Sequence, residues 1–432
     1  MSIVRDSLVM LAWRAAAIGV GLVTTVLLAR WLGPEDRGTL AILVLSLSLV
    51  TLVLQFGVPE ALIYVLGARL HGESEIVSTV LAYSLAVSVS AAAVGLVALR
   101  FWTDLDGVTR AGLVVAGCLS MQATYARHLL LGSKAFRAYS ISVIVEGLAY
   151  LAGLVGYGLV GKLTIPRAVW AYAASLGIAA GLAWATVVVR ASSKPSFTAL
   201  HPRVITDSLG RGMHLFVSGL GSFGVQRVSY FLLDAYAGAR AVGLYAAAAT
   251  VPSLFANVPQ QIATVLYSHV AGRRGDEPRV EPVVAVVQLL AIVAAVVLVP
   301  VAAFADEIVL LLFGEEFAGI GAALVLLSIA MAFAGLASVI FNAMAGEGMH
   351  RYGSYLTLLT LVIVAGLGWW WIPDHGLEGA AAAQLTAGLL GLAFMVAAYC
   401  RGTGTPLTAF LRLAPAAWRS LASRSASGGM RL

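Results

Sequence analysis

The chain has 432 residues, of which 60% are hydrophobic and only 11% carry a charge. Soluble proteins contain about 25% charged residues, so this composition excludes an ordinary soluble domain and predicts a polytopic membrane protein. The formal net charge of +6 does not indicate a nucleic-acid partner, because the Lys and Arg residues lie mostly between apolar runs, where they orient membrane helices. Cys118 and Cys400 both fall inside apolar runs, and neither a disulfide nor a metal site is expected.

Apolar runs follow one another along nearly the whole chain, and a membrane-spanning helix needs about 20 of these residues. The predicted fold is therefore all-α, with about twelve transmembrane helices. The runs cover residues 7–31, 39–66, 76–100, 108–131, 138–161, 168–190, 207–233, 240–268, 281–305, 317–345, 353–372 and 378–400.

The runs divide into two sets of six. We predict an N-terminal six-helix lobe at 1–190, an inter-lobe linker at 191–206, a C-terminal six-helix lobe at 207–400 and a basic cytoplasmic tail at 401–432. Most Lys and Arg residues fall on the same side as the amino terminus, which predicts a multi-pass protein of the cell membrane with both termini in the cytoplasm.

Three short motifs of the first half recur in the same order in the second half. RWLGPEDRGTL (Arg30–Leu40) is answered by AYAGARAVGLY (Ala235–Tyr245), with glycines at matching positions. GVPE at 57–60 is answered by NVPQ at 257–260, and LGSKAFR at 131–137 by AGEGMHR at 345–351. Such an internal duplication is typical of transporters that bind substrate between their two halves.

The seventh run carries an unusually polar face. At 100° per residue, the polar residues of this face occupy a sector about 120° wide. Such a face is expected to lie toward water or a partner helix, because polar groups are costly in lipid. Arg227 lies on another face, where pairing with Asp234 competes with a binding role. The predicted substrate-binding residues of this run are Arg211, His214, Ser218, Ser222, Gln226 and Arg227.

A further candidate cation, Arg14, lies about two turns into the first run. Both Arg14 and Arg211 are also placed where a long side chain could reach the membrane surface without any binding role. The sequence leaves these two alternatives open.

Two acidic residues inside the apolar runs, Glu60 and Glu146, are the candidate ion-coupling residues. Glu60 follows Pro59, and Gln260 follows Pro259 in the second half. Because proline bends a helix, we interpret Pro59 and Pro259, together with Pro252, as hinges. No catalytic constellation, metal site or cofactor motif is apparent, so we do not expect an enzyme.

The segments SYFLLDAYAGARAVGLYAAA (Ser229–Ala248), ARWLGPEDRGTLAIL (Ala29–Leu43) and Leu311–Tyr352 resemble the polysaccharide-type flippases of the multidrug/oligosaccharidyl-lipid/polysaccharide exporter superfamily. That group includes O-antigen and teichoic-acid-like transporters of cell-surface polysaccharide biosynthesis, and the resemblance covers about residues 1–400. It implies two six-helix lobes that form a V around a central cavity. The chain departs from the pattern at Ser229 and Tyr230, where many relatives carry an acidic–basic pair.

The resemblance implies alternating-access translocation of a polyprenyl-diphosphate-linked oligosaccharide across the cytoplasmic membrane. The implied partners are this lipid-linked substrate, the bilayer, and a polysaccharide polymerase and glycosyltransferases. One alternative is an ion-coupled exporter of small amphipathic compounds that uses Glu60 or Glu146. Another is a non-transporting membrane scaffold for glycan assembly. The sequence does not identify the glycan.

Overall fold

The computed structural model describes residues 2–98, 105–191, 201–253, 255, 256, 259, 260, 262, 263, 280–347 and 349–411. Within these residues it describes every side chain except those of 2–15, 98, 280–282 and 411. The described residues form helices and short connections, and no β-strand occurs among them. The predicted all-α polytopic fold is therefore confirmed.

The first half consists of long helices joined by short connections. These helices are α1 (Ser2–Gln55), α2 (Val58–Gly67), α3 (Glu73–Ala98), α4 (Gly107–Gly132), α5 (Phe136–Val160) and α6 (Ile165–Arg190).

The second half has the same general order. Its helices are α7 (Pro202–Ala248), α8 (Val280–Ala303), α9 (Ala305–Phe313), α10 (Gly321–Gly346), α11 (Arg351–Thr403) and α12 (Thr408–Leu411). A short 3₁₀ turn, Glu315–Phe317, lies between α9 and α10.

Three of the long helices are broken by a single glycine with positive φ. In α1 the break is at Gly33 (φ 71°, ψ 175°), and in α7 it is at Gly238 (φ 76°, ψ 176°). In α11 it is at Gly376 (φ 51°, ψ −123°). Such backbone angles are accessible mainly to glycine, so each of these helices comprises two segments. The breaks separate apolar runs that the sequence analysis had treated as distinct helices.

The backbone geometry confirms the internal repeat. Gly33 and Gly238, which were paired from the sequence, have nearly the same φ and ψ. The connections after α4 and α10 also match, because Ala135 N–H donates to Leu130 C=O (2.8 Å) and Met349 N–H donates to Met344 C=O (3.0 Å). The two halves thus share backbone angles and backbone hydrogen bonds at corresponding positions.

Seven helices of the described part are long and apolar enough to cross a membrane. They include the long spans Ala16–Gln55 and Arg351–Thr403, each of which contains a glycine break. The polar-rich α4 and α7 are not among the seven, although α4 has 26 residues and α7 has 47. Charged and polar side chains lower the hydropathy of a spanning helix, and these two helices carry several of the groups discussed below.

The chain forms two compact units, Met1–Phe223 and Gly224–Leu432. The boundary lies inside α7, later than the linker at 191–206 that marks the predicted division. Most of that linker, 192–200, lies outside the described residues, as does the tail from 412 onward. The predicted domain limits therefore remain a prediction.

Each unit has its own apolar core. In the first unit, α2 contributes Val58, Leu62 and Val65, which are fully buried with Tyr125 and Leu129 of α4. In the second unit, side chains of α8, α10 and α11 pack together around Tyr399. Small residues allow close helix contacts, as expected for membrane helices: a Cβ added to Gly388 of α11 would lie 2.8 Å from the Ala330 carbonyl oxygen of α10.

Candidate functional site

The first segment of α7 presents a row of exposed polar side chains. Successive members are separated by three or four residues, so they lie on one helix face. Ser229 continues the same face but is fully buried, which ends the exposed row. The row comprises Arg211, His214, Ser218, Ser222 and Gln226, all of them exposed.

The row begins at Arg211, whose guanidinium has neighbours on both its own helix and α2. Its Nη1 donates to the Asp207 carbonyl oxygen (3.2 Å). Its Cζ lies 5.4 Å from the centroid of the Tyr64 ring, within range of a cation–π contact. The side chain is therefore held near α2 while it remains exposed.

Arg227 is half-buried in the second unit and lies beside aromatic rings. Its Cζ is 5.7 Å from the Tyr230 ring centroid, and the Tyr230 and Tyr245 rings meet edge to face at 4.9 Å. Among the described residues, no ion pair joins Arg227 to Asp234, so the pairing that the sequence suggested is not formed. Arg227 also belongs to a different compact unit from Arg211.

Arg14 lies in α1, but its side chain is outside the described part. Its placement with the α7 residues thus stays a prediction.

Glu60 occupies the first turn of α2, and one of its carboxylate oxygens is enclosed. Its Oε2 is buried and has no hydrogen-bond partner among the described residues. The Tyr125 hydroxyl of α4 is also buried without a partner, and it lies within electrostatic range of Glu60. A carboxylate oxygen and a phenol that both lack partners are costly to bury. The role of Glu60 in ion coupling remains a prediction.

Glu146, the other acidic candidate, already has a cationic partner. Its Oε2 lies 2.6 Å from Arg127 Nη2 in α4. Arg127 also donates from Nε to the Ser142 hydroxyl (3.0 Å) and from Nη2 to the Ser142 carbonyl oxygen (2.9 Å). The carboxylate is thus neutralised within the first unit.

Arg127 is a site residue that the sequence analysis did not single out. It lies within α4, with its side chain 15% exposed and turned toward α5. The sequence did contain a signal for this pairing of Arg127 with α5. Arg127 lies a few residues before the α4–α5 connection, and Ser142 and Glu146 lie at a similar distance after it. Antiparallel neighbours bring such positions to the same level.

A second polar junction, centred on Gln122 of α4, holds helices together. Its amide nitrogen donates to the Ser88 hydroxyl (2.9 Å). Its carbonyl oxygen accepts from the Ser84 hydroxyl and from Trp184 Nε1, both at 3.1 Å. This geometry joins α3, α4 and α6 and leaves the amide little capacity to bind a ligand.

The three candidate hinge prolines lie at different kinds of position. Pro59 is in the first turn of α2, after Phe56 (φ 46°) and Gly57 (φ 70°). The chain therefore bends just before Pro59, where the sequence analysis had placed a bend within one long run at 39–66. Pro252 and Pro259 are buried, and a Cβ added to Gly335 of α10 would lie 2.9 Å from Pro259 Cγ. Their role as hinges remains a prediction.

Metal binding finds no support in the part of the chain that the structure describes. No group of three or more His, Cys, Asp or Glu side chains lies there in an arrangement that could hold a metal ion.

Solved structures of transporters share this fold. An inward-facing multidrug resistance MATE family transporter of the MOP superfamily has a TM-score of 0.70 at 16% identity, covering 89% of this chain and 95% of that chain. The lipid II flippase MurJ in an inward closed conformation has a TM-score of 0.72 at 12% identity, covering 98% and 94%. A MOP superfamily transporter from Pyrococcus furiosus, whose binding pocket is described as having reverse polarity, has a TM-score of 0.63 at 15% identity, covering 94% and 96%.

At these identities the likeness concerns the fold alone, and that fold is the one used by membrane transporters of the MOP superfamily. The sequence profile of the family described as "polysaccharide biosynthesis protein" matches residues 27–322. Because this match covers more than half of the chain, the protein belongs to the polysaccharide biosynthesis protein family. A comparison with curated proteins gives no match.

Proposed function

We propose that the protein is a flippase that moves a polyprenyl-diphosphate-linked oligosaccharide across the cytoplasmic membrane by alternating access. Membership in a polysaccharide biosynthesis family and the MOP transporter fold support this proposal. Within the chain, it depends above all on the exposed polar row of α7.

The composition of the row fits the headgroup of such a lipid. A diphosphate carries negative charge, and the attached sugars present many hydroxyl groups, whereas the polyprenyl tail can remain in the bilayer. Arg211 offers a planar guanidinium that suits phosphate oxygens. His214, Ser218, Ser222 and Gln226 offer hydrogen-bonding groups one turn apart. Exposed polar groups at membrane depth favour a water-filled path over contact with lipid.

Replacing the cationic residues tests the proposal directly. In cells, Arg211→Ala and Arg14→Ala are expected to lower glycan export and to leave lipid-linked oligosaccharide on the cytoplasmic leaflet. Losing a hydrogen bond to a charged group costs about 1.5–3 kcal/mol, which corresponds to roughly tenfold or more in affinity. Lys at the same positions should restore part of the activity, because it restores the charge without the forked geometry.

Arg190→Ala is the matched control, since Arg190 is an exposed arginine at the end of α6 and is not a member of the row. Parental export by the Arg14→Ala/Arg211→Ala double variant, with normal amounts of protein in the membrane, would contradict the cationic path. Such a result would show that both arginines only reach toward the membrane surface.

An ion-coupled exporter of small amphipathic compounds is the second candidate. The unpartnered Glu60 Oε2 favours it over the scaffold alternative, because a buried carboxylate oxygen without a partner is suited to bind an ion. Glu60→Gln keeps the shape and removes the ionisable group. Loss of transport in Glu60→Gln, together with full activity of the arginine variants, would support the exporter.

A further inference from the structure

Arg211 lies beside an aspartate that does not neutralise it. Its Nη1 donates to the backbone carbonyl oxygen of Asp207 (3.2 Å), so the guanidinium is folded back along α7 toward that residue. Acidic and basic side chains four residues apart on a helix commonly form an ion pair. Among the described residues, however, Arg211 takes part in no ion pair. No carboxylate of the described part therefore compensates its positive charge.

The Asp207 carboxylate is instead bound by a histidine from the connection after α2. The Asp207 Oδ2 atom lies 2.8 Å from His71 Nε2. The histidine side chain is 16% exposed and the aspartate side chain is 44% exposed, so the histidine is the more enclosed partner. While it binds His71, the carboxylate does not pair with Arg211.

A tyrosine ring of α2 supports the same guanidinium. The Arg211 Cζ lies 5.4 Å from the centroid of the Tyr64 ring, within the range of a cation–π contact. Tyr64 is 58% exposed, so the ring adds an attractive contact without enclosing the charge. The ring restricts the orientation of the guanidinium, and because the ring carries no net charge, the guanidinium keeps its attraction for anions.

Both helices that carry these groups are fixed within the first unit. One face of α2 is buried against α4. At the start of α7, Ser208 is fully buried and Leu209 packs on the same core. The two helices also meet closely, since a Cβ added to Gly212 would lie 2.6 Å from the Gly57 carbonyl oxygen. This close approach brings Arg211, the neighbour of Gly212, next to the ring on α2.

We propose that His71 and Tyr64 are positioning residues that keep Arg211 fixed and without an acidic partner, so that it can bind a diphosphate headgroup. His71 acts by withholding the Asp207 carboxylate, and Tyr64 acts by orienting the guanidinium. This proposal rests on the proposed flippase function, in which Arg211 is the cation at the start of the exposed row. A side chain that is already ordered loses less conformational freedom when it binds a ligand.

Binding of farnesyl diphosphate, a short polyprenyl diphosphate, to the purified protein in detergent tests the role of His71. His71→Ala releases the Asp207 carboxylate to pair with Arg211. It should weaken binding about two- to fivefold, the effect of one exposed ion pair. His71→Ala/Asp207→Asn should restore the parental affinity, because the competing charge is absent. His71→Gln, whose amide can still donate to Asp207, should also bind as the parent does.

His201→Ala is the matched control for His71→Ala. His201 Nε2 lies 3.6 Å from Glu75 Oε1, but no arginine lies four residues from that glutamate, so the control should keep the parental affinity. If His71→Ala is not monodisperse, His71→Phe, which fills the space without a donor, takes its place. Parental affinity of the His71 variant, or a loss that Asp207→Asn does not repair, would overturn the role of His71.

Substitutions of Tyr64 test the ring in the same assay. Tyr64→Leu removes the cation–π contact and should weaken binding about two- to fivefold. Tyr64→Phe keeps the ring and should bind as the parent does. Tyr157→Leu is the matched control, since Tyr157 is an exposed tyrosine in α5 of the same unit. Equal affinities of the Leu and Phe variants at position 64 would overturn the role of the ring.

A measurement without ligand separates failure of this arrangement from failure of the proposed function. Phenylglyoxal modifies arginine side chains, and peptide mass spectrometry gives the rate at Arg211 alone. Pairing with Asp207 should slow this modification in His71→Ala, and Asp207→Asn should restore the parental rate. Equal rates in the parent and in His71→Ala would overturn the withholding of Asp207. If the parent binds farnesyl diphosphate no better than farnesol, the flippase proposal loses its cationic site, and the modification rates still decide the role of His71.

Discussion

At the scale of single residues, Arg127 and Glu146 form an enclosed ion pair inside the first unit. The two side chains are only 15% and 23% exposed, and their nearest atoms are 2.6 Å apart. Ser142 satisfies further donors of the guanidinium through its hydroxyl and carbonyl oxygens. A charged pair that is this enclosed stabilises the native fold mainly because each partner would be costly to bury alone.

Removing one partner should therefore cost more than removing both. Arg127→Met leaves the Glu146 carboxylate without its partner, for which we expect a loss toward the lower end of about 3–5 kcal/mol because of the residual exposure. The Arg127→Met/Glu146→Met double variant should regain much of that loss. Thermal unfolding in detergent, followed by the loss of the monodisperse species, measures both.

The same double variant also tests Glu146 as an ion-coupling residue. If Glu146 serves only to pair with Arg127, the double variant should transport. A folded but inactive double variant would contradict this expectation and would return Glu146 to the list of coupling residues.

Much of the candidate site could be predicted at this scale, because helical periodicity alone determines which residues of one helix share a face. Arg211, His214, Ser218, Ser222 and Gln226 were grouped in this way, and all are exposed. The environment of Arg127 was not predicted, since its position near the end of an apolar run is equally compatible with reaching water. Only packing against α5 distinguishes these two outcomes.

At the scale of elements, single glycines join helical segments that in other places are joined by whole loops. At Gly33 and Gly238 the backbone changes direction within one residue, and helix continues on both sides. The sequence predicted separate runs with polar turns between them. The sequence could not show that each break is confined to one residue. The residues on either side of the glycine have the same helical propensity whether they belong to a helix or to a turn.

The break in α7 should depend on glycine at position 238. Its φ of 76° and ψ of 176° belong to a region that costs a residue with a Cβ about 1–3 kcal/mol. Gly238→Ala is expected to lower the free energy of unfolding by that amount. Nothing lies within 4 Å of the added Cβ, so only backbone strain acts.

Gly366→Ala in α11 is the matched control for Gly238→Ala. Its Cβ would also meet nothing within 4 Å, but Gly366 is in the interior of a regular helix, where Ala is favoured over Gly by up to about 1 kcal/mol. The control should thus be neutral or stabilising. A similar response of both variants in thermal unfolding would contradict the role of the Gly238 backbone.

At the scale of the whole molecule, the chain is one helical plan used twice. The matching glycine breaks and the matching hydrogen bonds after α4 and α10 are local features, so the sequence motifs could predict the repeat. The boundary between the compact units could not be predicted in the same way. It lies within α7 at Phe223/Gly224, because the start of α7 packs into the core of the first unit through Val204, and a linker's composition carries no information about such packing.

The repeat leads to a prediction about topology that uses one pair of positions in each half. Lys134 and His350 lie in the corresponding connections after α4 and α10, and both are exposed. Lys162, between α5 and α6, corresponds to the region of His375 beside the Gly376 break, and both of these are exposed as well. If each half contains six spans, as the sequence predicts, corresponding connections must lie on the same side of the membrane. Single cysteines at 134 and 350, in a background without Cys118 and Cys400, should react with an impermeant maleimide only after permeabilisation of cells, whereas cysteines at 162 and 375 should react in intact cells. Labelling of 134 and 350 from opposite sides would contradict the twelve-helix repeat, while exchange of the two pairs would preserve the repeat and reverse the predicted orientation.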